Sequence, residues 1–242
     1  MSPPILLLHA FPLDARMWNA LVDVLDRAGY ETVVPNLPGR EPDNELSSWA
    51  RRLLEVLPGS FIPVGCSMGG YLQFELWRQA SDRIPAVVFI DSRAGADTPE
   101  GRQGRDDTIR LLRDEGFEAF WPLQAPKLFG PSAEPDVVER ARRIASEQPI
   151  ENLVATLEAL RDRPDSRKTA SSVNVPALVA VGEHDQLTPP GEAEELAGLL
   201  PTARLVVLPG AGHLTPLERP AELNEEIFLF LNGLGLDKDA RS

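Results

Sequence analysis

The segment Gly65-Cys66-Ser67-Met68-Gly69 places one serine between two glycines in the pattern Gly-x-Ser-x-Gly. The apolar residues 61–64 before it are typical of a buried strand, and residues 71–77 after it are compatible with a helix. A turn this sharp leaves little room for side chains beside the serine, whose hydroxyl is then held exposed in a strained conformation. The pattern therefore predicts a nucleophilic serine, Ser67, with a chance match as the alternative.

A serine hydroxyl needs a base to take its proton, and the base needs an acid to orient it. The chain has only three histidines. His213 lies on a glycine-rich loop after the last predicted strand, and the expected chain order is serine, acid, histidine. His9 precedes the serine and is expected to support its own loop, whereas His184 is adjacent to the preferred acid and points away from it. The predicted base is His213.

The preferred acid is Asp185, which follows the predicted strand 177–181. It precedes His213 by 28 residues, enough for one crossover helix and one strand, so that the two loops become neighbours. Asp91, directly after the predicted strand 86–90, is the competitor and is otherwise expected to cap the following segment. Glu183 is a weaker alternative.

Two backbone N–H groups are expected to bind the oxyanion of the reaction. One belongs to Met68, directly after the serine, and the other to Phe11, in the loop after the first strand. The side chains expected to line the substrate pocket are Trp18, Trp121 and Leu214. Cys66 is expected to pack in the core, since a buried free cysteine behaves as a small hydrophobe.

Short apolar runs rich in Val, Ile and Leu predict buried parallel strands. The predicted strands are 5–8, 32–34, 61–64, 86–90, 177–181 and 204–208. Helical patterns lie between most of them, at 18–28, 47–57, 70–80 and 191–200, and a last helix is expected at 220–231. This alternation predicts an α/β fold with a mostly parallel sheet, helices on both faces, and a ligand site at the carboxyl ends of the strands.

The alternation stops in the segment 92–172, where helical patterns occur without a clear strand. The expected helices are 108–116, 117–128, 135–147 and 149–163, punctuated by Gly and Pro. We predict a helical cap at 92–172, inserted after the strand that ends near Ile90, and a core domain formed by 1–91 and 173–242. A separate helical domain is the alternative. Residues from Asp237 onward are expected to fray.

Composition narrows the class of protein. The 242 residues are 43% hydrophobic and 25% charged, as in a globular protein, and the net charge of -13 argues against nucleic acid or an anionic membrane as a partner. The single cysteine excludes an internal disulfide. The start of the chain resembles neither a signal peptide nor a membrane span, so a cytoplasmic protein is expected. No cofactor or metal site is predicted.

The motifs together resemble the α/β-hydrolase fold superfamily of the esterase and lactonase type. The resemblance rests on the segments 9–12 with Trp18, 65–70, 182–189 and 212–220, and it extends over essentially the whole chain. It implies the Ser67, Asp185 and His213 triad with Phe11 and Met68 at the oxyanion. Three departures from the pattern are expected: the sheet begins directly at Ile5 with no N-terminal hairpin before it, Ala10 stands where relatives often have glycine, and the segment 36–41 differs.

The resemblance implies hydrolysis of a small-molecule carboxylic ester or lactone through an acyl-serine intermediate. Thioester hydrolysis, perhydrolysis and carbon–carbon bond hydrolysis use similar constellations, and a ligand receptor built on the same scaffold is the non-enzymatic alternative. The sequence does not distinguish a monomer from a homodimer.

Overall fold

A computed structural model of the chain describes residues 2–38, 43–57 and 59–235. The tail from Asp237 onward and the loop residues 39–41, on which two of the sequence predictions fall, lie outside the described residues. Within the described ranges, no helix combines the length and the apolar character needed to cross a membrane.

Six strands form one sheet in the order β2-β1-β3-β4-β5-β6, and every neighbouring pair is parallel. The strands are β1 Ile5–Leu8, β2 Thr32–Val33, β3 Ile62–Cys66, β4 Val87–Ile90, β5 Ala177–Gly182 and β6 Ala203–Leu208. The predicted parallel sheet is confirmed, with strand bounds within two residues of those expected. The strands β1, β3, β4 and β5 are buried along their whole length, which explains their continuous apolar sequences.

Helices cover both faces of this sheet. They are α1 Asn19–Arg27, α2 Leu46–Val56, α3 Met68–Ala80, α4 Pro99–Glu115, α5 Phe117–Leu128, α6 Pro135–Ser146, α7 Ile150–Asp162, α8 Arg167–Ala170, α9 Pro190–Leu199, α10 Thr215–Glu218 and α11 Pro220–Gly233. Short 3-10 helices occur at Ala15–Trp18 and Ser81–Arg83. The helix α3 packs on β1 and β3 with α2 and α8 beside it, and α1 packs against α11, which contacts β5.

The helix α4 begins at Pro99, nine residues before the helix predicted there. The reason is a good N-terminal cap: the hydroxyl of Thr98 accepts a hydrogen bond from the N–H of Gly101 at 3.1 Å, and Pro99 occupies the first turn. Glycines 101 and 104 suggested a loop, yet both lie within α4, which packs against α7 and α5. The one-turn helices α8 and α10 were not predicted.

The segment between β4 and β5 contains five helices, α4 to α8. Here α4 contacts both α5 and α7, and α5 contacts α6. The helical character of this segment agrees with the sequence, whereas its division from the core as a cap remains a prediction.

Candidate active site

Ser67 lies in the one-residue turn between β3 and α3, at the carboxyl edge of the sheet. Its φ of 52° and ψ of -109° fall in a region that residues other than glycine rarely adopt. Two hydrogen bonds hold this conformation: the N–H of Ser67 donates to the carbonyl of Ile90 at 2.8 Å, and the Ser92 hydroxyl donates to the carbonyl of Ser67 at 3.0 Å. The surrounding fold therefore stabilises a strained residue with its side chain at the edge of the sheet.

The glycines around Ser67 are required by the space available. A Cβ at Gly69 would collide with the carbonyl oxygen of Leu8, and one at Gly65 would collide with the backbone of Gly69. Gly70 faces the side chain of Ser92 in the same way. The close approach of β1, β3 and α3 therefore explains the small residues of the motif.

His213 joins Ser67 to Asp185 through an unbroken series of hydrogen-bond contacts. Its Nε2 lies 2.8 Å from the Oγ of Ser67, and its Nδ1 lies 2.7 Å from the Oδ2 of Asp185. Burial lowers the pKa of His213, but the charge of Asp185 and its hydrogen bond outweigh burial and raise this pKa above its ordinary value. Carboxylate, imidazole and hydroxyl are thus arranged for proton transfer from Ser67 to His213.

Asp185 is oriented by its own loop. Its Oδ1 accepts hydrogen bonds from the N–H groups of Leu187 at 2.8 Å and Thr188 at 2.9 Å, and its Oδ2 accepts one from the Thr188 hydroxyl at 2.8 Å. Burial would raise the pKa of Asp185, but the charge and hydrogen bond of His213 lower it. The carboxylate is therefore kept ionised with Oδ2 directed at the imidazole.

Asp91, the competing acid, is fully buried beside this network and has a φ of 47°. Its Oδ1 accepts the N–H of Gly182 at 3.0 Å, and its Oδ2 accepts the N–H of Thr215 at 3.1 Å and the hydroxyl of Thr215 at 2.7 Å. Burial, together with the charge of Asp185, raises its pKa. Asp91 thus connects β4 to the end of β5 and to the histidine loop, and it makes no hydrogen bond to His213 among the described residues.

Glu218 was not singled out from the sequence, although it supports the loop of His213. Its buried carboxylate accepts the N–H groups of Gly130 at 2.8 Å, Gly212 at 3.0 Å and Leu214 at 3.3 Å. Because Gly130 follows α5, this carboxylate joins the histidine loop to the helical segment. The only indication of this role in the sequence is that Glu218 comes five residues after His213. The structure places it at the end of the one-turn helix α10.

The other two histidines lie where the sequence suggested. His9 is buried, and its Nε2 accepts the N–H of Leu37 at 2.8 Å, so it supports the loop after β1. His184 is largely exposed beside Glu183, at 3.7 Å. Cys66 is fully buried, and burial raises the pKa of its thiol well above the ordinary value. A thiol in this state is a poor nucleophile.

The two backbone groups predicted at the oxyanion are available. Within the described ranges, neither the N–H of Phe11 nor the N–H of Met68 donates to a protein acceptor. Phe11 lines the cavity that contains Ser67, and Phe11 and Met68 both line a smaller cavity beside it. Met68 also begins α3, whose N-terminus favours negative charge.

A cavity of about 290 Å³ opens beside Ser67 and His213. The three predicted pocket residues do not line it: Trp18 and Leu214 are completely buried elsewhere, and Trp121 stacks on Phe117 with ring centroids 5.8 Å apart. The lining residues that the sequence did not single out for the site come from both the core and the helical segment. They are Tyr71, Arg93, Asp97, Gly101, Gly104, Arg105, Thr108, Gln124, Lys127, Leu157, Leu160 and Leu187.

The helix α4 carries four arginines that pair with acids, namely Arg102, Arg105, Arg110 and Arg113. The side chain of Arg105 is only 21% exposed, against 47% to 66% for the others. Gly101, Gly104 and Thr108 lie on the same face of α4 as Arg105, at helical spacing, and all four residues line the cavity. This spacing of small residues around an arginine was the indication in the sequence that this face of α4 borders a cavity. In the parts of the chain that the structure describes, no group of three or more His, Cys, Asp or Glu side chains could hold a metal ion.

Comparison with known proteins agrees with this geometry. The model of the alpha/beta hydrolase family matches residues 5–226. The pimeloyl-[acyl-carrier protein] methyl ester esterase of Nitrosomonas europaea is 28% identical over 91% of this chain and 92% of its own length.

Two solved structures are similar in fold. A thermophilic esterase from Thermogutta terrifontis superposes with a TM-score of 0.89 and 30% identity, over 97% of this chain and 91% of its own. The enol-lactonase from Burkholderia xenovorans LB400 superposes with a TM-score of 0.83 and 25% identity, over 96% and 92%. With its parallel sheet, its serine turn at the carboxyl edge and a family match across nearly its whole length, the chain belongs to the alpha/beta hydrolase family.

Proposed function

We propose that this esterase-type hydrolase cleaves a carboxylic ester or lactone through an acyl-serine intermediate on Ser67. The observation that carries the proposal is the series of contacts from Ser67 Oγ to His213 Nε2 at 2.8 Å and from His213 Nδ1 to Asp185 Oδ2 at 2.7 Å. The three side chains are all nearly inaccessible to solvent, so the contacts form in a region of low dielectric constant.

In the first half of the reaction, Ser67 Oγ attacks the carbonyl carbon while His213 Nε2 takes its proton. Asp185 holds the Nδ1–H of the imidazole and stabilises the imidazolium that forms. The tetrahedral intermediate collapses, its bond to the alcohol oxygen breaks, and His213 returns the proton to that oxygen. In the second half, His213 activates a water molecule, which attacks the acyl-serine and releases the acid.

The negative charge on the carbonyl oxygen is assigned to the N–H groups of Phe11 and Met68. Both groups lack a protein acceptor within the described ranges, so they are ready for a ligand oxygen. The loss of one such donor typically costs about 3 kcal/mol of transition-state stabilisation. Because both are backbone groups, side-chain substitution does not remove them.

The relatives support the ester and lactone classes, since they are named as methyl ester esterases, an esterase and an enol-lactonase. The helical segment 92–172 supplies part of the cavity wall, which is the expected role of a cap. Thioester hydrolysis, perhydrolysis and carbon–carbon bond hydrolysis would use the same residues, and a panel of acyl esters, lactones and thioesters separates them.

The test of the proposal is turnover of p-nitrophenyl esters by Ser67→Ala. We expect turnover to be abolished, while Ser146→Ala, an exposed serine at the end of α6, keeps the activity of the parent protein. Near-parental activity in Ser67→Ala would sink the proposal. Tight binding of an ester by the parent protein without turnover would instead support a receptor.

A further inference from the structure

The cavity beside Ser67 has two chemically different kinds of lining residue. Phe11, Leu157, Leu160 and Leu187 are apolar. Arg93, Asp97, Arg105 and Lys127 are charged. Apolar lining suits a hydrocarbon chain, but charged side chains in a substrate cavity need a separate explanation.

The charged lining of the cavity carries the opposite sign to the protein as a whole. Three cationic side chains, Arg93, Arg105 and Lys127, line it with a single carboxylate, Asp97, although the whole chain has a net charge of -13. A fourth cation, Arg163, is buried and contacts the same carboxylate at 2.8 Å, but it does not line the cavity. Glu192 contacts Arg93 at 3.4 Å and reduces this excess of positive charge without cancelling it.

Asp97 organises the arginines. Its Oδ1 contacts Arg93 at 2.7 Å and Arg163 at 2.8 Å, and its Oδ2 pairs with the Nε of Arg105. Burial would raise the pKa of Asp97, but hydrogen bonds from Arg163 and Arg105 lower it well below its usual range. One carboxylate thus fixes three guanidinium groups and neutralises only one of their charges.

Two of the cationic residues that line the cavity keep donors free. Arg105 uses only its Nε towards Asp97, and its two terminal NH₂ groups meet no acceptor in the described parts of the chain. Lys127 likewise has no ion-pair partner in those ranges. In the same cluster, the Nε of Arg93 is buried and has no partner in those ranges. An anion in the cavity would be bound by a guanidinium that Asp97 already holds in place.

Given the proposed function, on which this inference rests, we propose that the substrate is an ester carrying a carboxylate, which Arg105 binds with support from Lys127 and Arg93. The apolar lining residues pack on the hydrocarbon part between the scissile carbonyl and that carboxylate. The guanidinium of Arg105 presents two terminal nitrogens, the geometry that matches a carboxylate.

The experiment compares ester pairs that differ only in charge. The p-nitrophenyl half-esters of succinic, glutaric and adipic acid are paired with p-nitrophenyl butanoate, pentanoate and hexanoate, which have the same numbers of acyl carbons. A second arm places the charge on the alcohol side and compares 4-acetoxybenzoate with 4-methylphenyl acetate. The quantity measured is the ratio of kcat/KM for the charged ester to that for the neutral ester, after subtraction of spontaneous hydrolysis.

We expect this ratio to exceed about ten in at least one arm for the parent protein, as a hydrogen bond to a charged group typically provides. Arg105→Met should lower the ratio about tenfold through a higher KM for the charged ester, and Arg105→Lys should restore part of it. Arg110→Met is the matched control on the same helix, and its ratio should not change, because Arg110 is exposed and pairs with Asp107. Lys127→Met should lower the ratio about threefold, with Lys168→Met as its control.

The inference is overturned if the parent protein shows no charge preference in either arm. It is also overturned if Arg105→Met and Lys127→Met lower both members of a pair equally, which would give Arg105 and Lys127 a purely structural role. In either case, Ser67-dependent cleavage of the neutral esters leaves the proposed function intact. If Ser67→Ala cleaves the neutral esters as fast as the parent protein, the proposed function itself fails.

Discussion

Replacement of Asp185 by Asn tests the direction of the hydrogen bonds around His213. The Oδ1 position of Asp185 faces two N–H donors, from Leu187 and Thr188, so an Asn must place its carbonyl oxygen there. Its NH₂ group then occupies the Oδ2 position, 2.7 Å from the Nδ1 of His213. Two donors cannot face each other, so His213 must present an unprotonated Nδ1 and carry its proton on Nε2.

An imidazole with its proton on Nε2 cannot accept the proton of Ser67, although every heavy atom stays in place. The same change of tautomer in a serine protease triad lowers kcat about ten-thousandfold. We expect Asp185→Asn to lower kcat on a p-nitrophenyl ester by about 10³- to 10⁴-fold. The melting temperature should change little, because the Asn keeps both backbone hydrogen bonds of the carboxylate.

Asp91→Asn is the matched comparison. The two carboxylate oxygens of Asp91 each accept a backbone N–H, from Gly182 and Thr215, so an Asn leaves one buried N–H facing its NH₂ group. We expect a loss of about 1–3 kcal/mol of stability, with kcat lowered less than tenfold. Stopped assays of kcat and urea unfolding of both variants separate the two effects. If Asp91→Asn loses turnover by orders of magnitude while Asp185→Asn keeps it, the reasoning about the acid is refuted.

Three further predictions concern strain, space and pH. Ser67→Gly should be about 1–2 kcal/mol more stable than Ser67→Ala in urea unfolding, because only glycine adopts a φ of 52° without strain; equal stability would remove the argument for strain. Gly69→Ala should destabilise the protein by about 3 kcal/mol, because its Cβ would collide with the backbone of Leu8. Gly104→Ala should stabilise the protein by about 0.5–1 kcal/mol, because its Cβ meets nothing within 4 Å and alanine favours a helix. Since His213 acts as a base only when neutral and Asp185 raises its pKa, kcat/KM should fall as the pH drops through a midpoint above 6.5; a midpoint below 6.5 contradicts the described environment.

The sheet and the serine turn could be predicted from the sequence because local chemistry determines them. Strands buried on both faces are continuous apolar runs, and the turn at Ser67 excludes side chains at Gly65 and Gly69. His213 followed by elimination among three histidines. These inferences need only the order of elements and the rule that functional loops lie at the carboxyl edge.

The choice between Asp185 and Asp91 depended on contacts that the sequence does not contain. Both acids follow a strand at the same edge of the sheet. The structure directs Asp185 at His213 through the N–H groups of its own loop, and it directs Asp91 away through Gly182 and Thr215, 91 and 124 residues distant. Long-range pairing of this kind has no local signature.

The residues that line the cavity could not be predicted from the sequence for a related reason. Trp18, Trp121 and Leu214 are apolar residues near the motifs, and each is used in packing instead. Arg105 contacts the cavity because Asp97 and Arg163, from opposite ends of the helical segment, hold the wall together. Helical periodicity identifies a face of α4, but only the packing of α4 against α7 determines what that face meets.

The most direct measurement of the central claim is mass spectrometry of the protein quenched with acid during turnover of a p-nitrophenyl ester. The tryptic peptide that contains both Cys66 and Ser67 should gain the mass of the acyl group, and fragmentation should assign it to Ser67. Asp185→Asn should accumulate this species more slowly, and Ser67→Ala should not form it. An acyl group on Cys66, or turnover with no acylated peptide under conditions where deacylation is rate-limiting, would contradict the account.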